Sequence, residues 1–123
     1  MPARWILSID DNADTCELLT TMLGRSGLEA VSASGVDEAL RLMGGERFGL
    51  CVVDGLMSGA SGLSPCEQIR AADAHAPIVI FSGHAAEGDI EAGMSAGADA
   101  YVVKHDLTEL ISTVKRLLSE VAA

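Results

Sequence analysis

The sequence predicts an α/β fold in which five strand–helix units, (βα)5, form a doubly wound, five-stranded parallel sheet between two layers of helices. Five short apolar runs alternate with five helical patterns along the 123 residues. The runs are apolar on both faces, which is typical of a parallel sheet covered by helices, and right-handed crossovers place helices on both sides. Because the length allows one compact core, we expect a single domain over residues 1–123.

Each predicted strand is a short apolar run bounded by polar residues, glycine or proline. The runs are Trp5–Ile9, Leu28–Ala33, Phe48–Val53, Ile78–Phe81 and Ala100–Val103. Their lengths suit strands rather than helices, and none approaches the roughly 20 residues that a membrane-spanning helix requires.

The first two helices are indicated by apolar residues at helical spacing and by the signals at their ends. The helix after the first strand ends at the glycines near residues 24–27. The next helix begins with a capping-box pattern at Ser34 and ends at Gly44 and Gly45.

The remaining helices have start signals of different strength. The third begins with Ser64 and Pro65, the strongest start signal in the chain. The fourth, near residues 85–96, contains Gly88 and Gly93, each of which costs about 1 kcal/mol relative to alanine. Asp106 caps the last helix, whose apolar stripe covers one face. We therefore expect the fourth helix to be the least stable.

Charge and cysteine content exclude several classes of protein. Acidic residues outnumber basic residues 18 to 8, so the net charge is −10. A chain this acidic is a poor binder of the nucleic-acid backbone, and anionic membrane surfaces would repel it. Its three cysteines are scattered without a Cys-x-x-Cys pair, which favours neither a disulfide framework nor a zinc site. Together with the absence of a secretory signal, this predicts a reducing, cytoplasmic location.

Polar residues follow four of the five strands at their carboxyl ends. Asp10 and Asp11 end the first strand, Asp54 the third, Ser82 the fourth and Lys104 the fifth. Because these ends meet at one edge of a parallel sheet, we expect the five side chains to lie close together. Three clustered carboxylates repel one another, and a hard divalent cation such as Mg²⁺, with Mn²⁺ as a substitute, relieves that repulsion.

The simpler interpretation treats each of these residues as an ordinary polar residue at the start of a loop, without a functional role. The joint interpretation is that Lys104 and Ser82 bind the oxygens of a phosphoryl group carried by Asp54. We favour the joint interpretation because the five residues make chemical sense together, whereas the alternative must explain each one separately.

The order and spacing of several short motifs carry a resemblance to a known family. The motifs are Ile9–Asn12, Asp54–Met57 with Gly62 eight residues after the aspartate, Phe81–Gly83, Gly97–Tyr101 and Lys104. The chain resembles a response-regulator receiver domain of two-component signalling, of the single-domain chemotaxis-regulator type, over essentially its whole length. The resemblance implies the flavodoxin-like form of the predicted fold.

The resemblance also implies a role for each acidic residue. Asp54 would be the phosphoacceptor, attacking the phosphohistidine of a sensor kinase. Mg²⁺ would be bound directly by Asp11, by Asp54 and by the backbone carbonyl of Leu56. Asp10 would act mainly through a bound water molecule.

The same resemblance assigns the phosphoryl contacts and the switch. Lys104 and Ser82 would stabilise the phosphoryl oxygens, and Ser82 would move toward them on phosphorylation. Tyr101 matches the aromatic switch position of the family, although its residue type alone is equally typical of a strand aromatic packed under a helix.

Three residues depart from the family pattern without removing a chemical group from the site. Ser58 and His105 stand where proline is common, and Gly83 stands where alanine is common. The family's lysine–proline bond is typically cis. A cis bond before histidine costs about 3–4 kcal/mol, so we expect a trans bond between Lys104 and His105.

The resemblance implies protein partners. One is a sensor histidine kinase or phosphotransfer protein, and the other is a downstream protein target, with no direct nucleic-acid or membrane contact. A homodimer through the fourth helix, the fifth strand and the last helix is compatible with it. A receiver catalyses its own phosphorylation and dephosphorylation but turns over no conventional external substrate, so the enzyme class stays open.

Three alternatives remain at this stage. The chain could be a receiver excised from a longer response regulator or hybrid kinase. It could be a degenerate receiver used only for binding, but the acceptor, acids and lysine are all present. It could be a phosphatase of the haloacid-dehalogenase type, but that family has a second acid two residues after its nucleophile, where this chain has Leu56 after Asp54 and Asn12 after Asp10.

Overall fold

The computed structural model describes residues 5–55, 64–84 and 86–122, and these residues form five strands and five helices in strict alternation. The strands are β1 (Trp5–Ile9), β2 (Glu29–Ala33), β3 (Leu50–Val53), β4 (Ile78–Ser82) and β5 (Ala100–Val103). The helices are α1 (Ala13–Arg25), α2 (Val36–Gly45), α3 (Pro65–Ala72), α4 (Glu87–Ser95) and α5 (Leu107–Ala122).

The sheet is fully parallel and has the strand order β2-β1-β3-β4-β5. This confirms the predicted α/β, flavodoxin-like fold. The order reverses beside β1, so that β1 and β3 are neighbours at the centre of the sheet. Ligands of such sheets bind at the carboxyl ends of the strands near this switch point, where the predicted site lies.

Two apolar layers cover the two faces of the sheet. On one face, α1 and α5 pack onto the sheet through Leu19, Leu23, Leu110 and Val114, all of which are buried. On the other face, a second cluster joins the sheet to α2 and α3. Central strands therefore bury both faces, as β3 and β4 do at every residue, which explains their continuous apolar sequence.

Most predicted helix ends are confirmed, and one is wrong. The capping box of α3 forms, with Ser64 Oγ accepting from Glu67 N and Glu67 Oε1 accepting from Ser64 N. Asp106 Oδ1 likewise accepts from Glu109 N at 2.9 Å. The start of α2 differs, since Gly35 is the N-cap and provides no side-chain acceptor. The carboxylate of Glu38 instead accepts from Ser34 N at 2.8 Å.

Helix α4 is the helix least embedded in the core. None of its residues is buried, and Ile90 and Met94 are exposed. Its carboxyl end is held by Arg70, whose Nη2 donates to the carbonyl of Gly97 at 2.8 Å and to Asp99 Oδ2 at 2.9 Å. The helix is therefore fixed at one end and lies on the surface elsewhere, in line with the expected low stability.

The Lys104–His105 peptide bond is trans, as predicted. Within the described ranges, no helix has both the length and the apolar character needed to cross a membrane.

Candidate functional site

The three predicted acidic residues converge at the carboxyl edge of the sheet. Asp10 N donates to Ala33 O at 3.1 Å and Asp54 N donates to Ile9 O at 2.9 Å, so both residues continue the strand pairing. Carboxylate oxygens of Asp10, Asp11 and Asp54 lie within 4.8 Å of one another. Asp10 is 3% exposed and Asp54 is 5% exposed, whereas Asp11 faces solvent. The site is thus a buried acidic pair with one exposed carboxylate at its mouth.

Lys104 lies between the two buried carboxylates. Its Nζ is 2.9 Å from Asp10 Oδ2 and 3.5 Å from Asp54 Oδ2. Partial burial alone would lower the pKa of Lys104, but the hydrogen bond to Asp10 and the negative charges of Asp54 and Asp10 outweigh that effect and raise the pKa above its ordinary value. The lysine is therefore held in its charged form and neutralises part of the repulsion.

Ser82 is fully buried at the end of β4, with its Oγ accepting from His84 N at 3.1 Å. The close approach of Asp54 to this strand depends on Gly55. A Cβ on Gly55 would lie 2.9 Å from Ile80 Cγ2 and 3.1 Å from Ser82 Cβ. A larger residue would force Ile80 and Ser82 to shift, and the sequence signal for this close approach is a glycine directly after Asp54.

Tyr101 is connected to Ser82 through one residue. The tyrosine hydroxyl donates to the backbone carbonyl of His84, and the backbone N–H of the same histidine donates to Ser82 Oγ. From its position beside the site, His84 is expected to be a solvated loop residue that could perturb the site. Its observed contribution comes from the backbone and leaves no signal in the residue type.

The donor set fits a hard divalent cation. All three side chains offer carboxylate oxygens, the ligands that Mg²⁺ prefers, and Lys104 balances only one of their three charges. Both Asp10 oxygens already accept hydrogen bonds, Oδ1 from Asn12 N at 2.9 Å and Oδ2 from Lys104. That arrangement suits an indirect role for Asp10 and direct ligation by Asp11 and Asp54.

Some predicted features lie outside the described residues. They are the backbone carbonyl of Leu56 and the positions of Met57, Ser58 and Gly62. The structure brings together all the other predicted site residues, which are Asp10, Asp11, Asp54, Ser82 and Lys104, and links Tyr101 to them.

Solved structures with similar sequences share this fold. The response regulator TrrA from Thermotoga maritima, solved in complex with Mg²⁺–BeF, is 33% identical, with 93% of this chain and 98% of that chain covered and a TM-score of 0.79. A response regulator from Burkholderia pseudomallei, described with a phosphorylated aspartic acid, calcium ion and citrate, is 30% identical, with coverages of 97% and 71% and a TM-score of 0.80.

Curated relatives and the family comparison agree with the structures. The transcriptional regulatory protein PrrA of Mycobacterium tuberculosis is 37% identical over 114 residues, which are 92% of this chain and 49% of the relative. The chain thus spans about half the length of the curated relatives it matches. Residues 6–115 match the family described as the response regulator receiver domain, which does not favour the haloacid-dehalogenase alternative. The chain therefore belongs to the receiver domains of two-component response regulators.

Proposed function

We propose that this receiver accepts one phosphoryl group on Asp54 from the phosphohistidine of a sensor histidine kinase or phosphotransfer protein. The observation that carries the proposal is the cluster of Asp10, Asp11 and Asp54 within 4.8 Å, with the Lys104 ammonium between the two buried carboxylates. An aspartate needs such surroundings to act as a nucleophile toward an anionic group, because positioning and charge neutralisation do most of the work in phosphoryl transfer.

The chemical step is a displacement at phosphorus. An Asp54 carboxylate oxygen forms a bond to phosphorus while the P–N bond to the donor imidazole breaks. The imidazole leaves with the bonding electron pair and takes up a proton. Asp11, Asp54 and the backbone carbonyl of Leu56 would hold Mg²⁺, and Asp10 would act on it through a water molecule. When bound, the ion would supply positive charge that offsets the negative charge of the transferring group.

Lys104 and Ser82 then hold the product. The lysine is already 3.5 Å from Asp54 Oδ2, so a small movement away from Asp10 brings its ammonium to a phosphoryl oxygen. The Ser82 hydroxyl accepts from His84 N and still has its own proton to donate. Two similar proteins support phosphorylation of an aspartate beside a divalent cation, since one was solved in complex with Mg²⁺–BeF and the other with a phosphorylated aspartic acid and a calcium ion.

The proposed output surface consists of α4, β5 and α5. On α4, Glu87, Ile90, Glu91 and Met94 have the i, i+3, i+4, i+7 spacing of one helix face, and all four are exposed. This acidic and apolar stripe, on a helix that contains no lysine or arginine, suits a downstream protein with a basic and apolar surface. A second copy of this chain could bind the same surface instead and form a homodimer. Sedimentation of the phosphorylated protein distinguishes a dimer from a monomer.

The proposal concerns the receiver unit. The curated relatives include transcriptional regulators about twice as long as this chain. An output other than protein–protein contacts would require residues beyond the receiver domain. The scattered, unpaired Cys16, Cys51 and Cys66 fit a cytoplasmic location.

Phosphoramidate tests the proposal, because it carries the same P–N bond as phosphohistidine. With Mg²⁺ present, intact-mass spectrometry should detect one added phosphoryl group, and chelation of the metal should prevent the addition. Amide exchange should then change most within residues 83–105, where Ser82 and Tyr101 connect the site to α4. Labelling that is independent of Mg²⁺, or exchange that changes only in α1 and α2, would contradict the proposal.

A further inference from the structure

Helix α4 lies against Tyr101 at a residue that has no side chain. Residue 93 is glycine, and a Cβ built on it would lie 2.7 Å from Ile80 Cδ1, 3.0 Å from Tyr101 Cδ2 and 3.1 Å from Tyr101 Cε2. Non-bonded carbon atoms are most stable at about 3.5–4.0 Å. A methyl group at residue 93 would therefore require Ile80 Cδ1 to move aside and the tyrosine ring to shift by a few tenths of an ångström.

A second glycine on the same helix shows that this restriction is local. A Cβ on Gly88 would meet no heavy atom within 4 Å. Both glycines cost about 1 kcal/mol of helix propensity relative to alanine. Of the two, only Gly93 combines that cost with crowding that a methyl group would create against Ile80 and the Tyr101 ring.

We propose that Gly93 is a positioning residue for Tyr101. The backbone of α4 at residue 93 and the side chain of Ile80 form a slot in which the tyrosine ring packs, so a movement of the ring changes its contact with the helix. The inference rests on the proposed function in one respect, because the motion at issue is the response of Tyr101 to phosphorylation of Asp54.

The slot lies at the end of a continuous series of contacts. The ring held by Gly93 places its hydroxyl on the carbonyl of His84, and His84 N donates to Ser82 Oγ. A cavity of about 110 Å³ beside the ring extends to Asp54. The ring therefore borders a cavity that Asp54 and Gly93 of α4 also line.

The surroundings of α4 explain why the ring can move the helix. No residue of α4 is buried, and its firm attachment is the Arg70 contact with Gly97 and Asp99 just beyond its carboxyl end. Displacement of the ring from the slot should therefore shift the body of α4 about that attached end, with little loss of core packing.

Gly93→Ala and Gly88→Ala form a matched pair for testing the slot in the unphosphorylated full chain. Tyr101 is the only tyrosine, so its ring resonances in NMR spectra report on the slot alone. Overpacking of this size should speed amide exchange at His84 about tenfold in Gly93→Ala and shift the ring resonances. Gly88→Ala should leave the ring resonances unchanged and slow exchange within α4. Ring resonances in Gly93→Ala that match those of the unaltered protein would overturn the slot.

The second measurement separates positioning from packing. Mg²⁺ with beryllofluoride, a stable stand-in for a phosphoryl group, should shift the Tyr101 resonances in the unaltered protein and in Gly88→Ala. In Gly93→Ala that shift should fall by at least half. The positioning role would be overturned if the Tyr101 ring is displaced in Gly93→Ala but its resonances still shift as much with beryllofluoride as in the unaltered protein.

Additional variants keep the test decisive if Gly93→Ala fails to fold. Removing the ring with Tyr101→Ala should restore folding of the Gly93→Ala chain, and Ile80→Val, which removes the nearby Cδ1 atom, should restore it in part. Failure of Tyr101→Ala to restore folding would overturn the slot. If the proposed function itself is incorrect, the result is different. Neither the unaltered protein nor any variant would then take up a phosphoryl group from phosphoramidate.

Discussion

The ammonium of Lys104 lies 2.9 Å from Asp10 Oδ2, closer than its 3.5 Å separation from Asp54 Oδ2. Lys104 and Asp10 are 94 positions apart in the sequence, yet the ammonium of Lys104 forms an ion pair with this buried acid, which directly follows β1. Lys104, for which we propose a contact with the phosphoryl group, is thus also placed to stabilise the acidic site before any phosphoryl group arrives.

Replacing Lys104 with methionine should destabilise the protein most when Mg²⁺ is absent. Asp10 and Asp54 would keep their burial but lose their counter-charge, which should cost about 1–3 kcal/mol in the free energy of unfolding. Saturating Mg²⁺ should reduce that loss by supplying positive charge. Urea denaturation with and without Mg²⁺ measures both values, with the exposed Lys115→Met as the control. Equal losses in both conditions would contradict the proposed balance of charge.

Mg²⁺ should raise the melting temperature of the protein, since an ion that binds only the folded site stabilises it by mass action. Asp11→Ala should abolish most of that increase and, by removing one like charge, should make the metal-free protein slightly more stable. Calorimetry over a Mg²⁺ titration provides the measurement, and Glu17→Ala, which removes an exposed acid from α1, provides the control. An Asp11→Ala protein with the full Mg²⁺-dependent increase would refute direct ligation by Asp11.

Ser8→Ala should stabilise the fold. Ser8 Oγ is buried and has no hydrogen-bond partner among the described residues. Removing an unsatisfied hydroxyl should raise the free energy of unfolding by up to about 1 kcal/mol. Ser32 is its neighbour in the β1–β2 register and shares a 3.1 Å hydrogen bond with Thr20, so Ser32→Ala should give no stabilisation. Chemical denaturation compares the pair, and a loss of stability in Ser8→Ala would show that its hydroxyl is satisfied.

Asp73 should contribute to acid denaturation. Partial burial alone would raise the pKa of Asp73, but hydrogen bonds from His75 N and Ala76 N and the charges of His75 and Arg47 lower it overall. A depressed pKa stabilises the fold above the unfolded value of about 3.9, and the contribution disappears as the pH falls through the folded value. Asp73→Asn should therefore be less stable at neutral pH, and the difference should vanish in strong acid.

A pH series of urea denaturation curves checks this expectation. The exposed Asp37→Asn is the control and should show a much smaller pH-dependent difference. A stability difference for Asp73→Asn that persists undiminished at the lowest pH would contradict the electrostatic explanation.

Sequence periodicity predicted the parts of the fold in which burial dominates. The bounds of β1 and β5 agree with the predicted ones residue for residue, because these runs are set off by polar neighbours. The third strand begins at Leu50 rather than at Phe48. Phe48 is buried outside the strand pairing, and an apolar residue in a core cannot be distinguished from one in a strand by its type.

The residues that form the site could be predicted from the sequence, but the contacts between them could not. Topology alone brings Asp10, Asp11, Asp54 and Lys104 to one edge, and the structure agrees. The preference of the lysine for Asp10, the backbone role of His84 and the close fit at Gly93 depend on distances of a few tenths of an ångström. No residue type encodes such distances, so a sequence cannot reveal them.

Intact-mass spectrometry after incubation with acetyl phosphate tests the assignment of Asp54 most directly. The unaltered protein should gain one phosphoryl group in the presence of Mg²⁺ and none when the metal is chelated, whereas Asp54→Asn should gain none under either condition. Asp11→Ala should be labelled far more slowly, in keeping with its place among the metal ligands. Labelling of Asp54→Asn to the same extent as the unaltered protein would contradict the assignment of Asp54 as the phosphoacceptor.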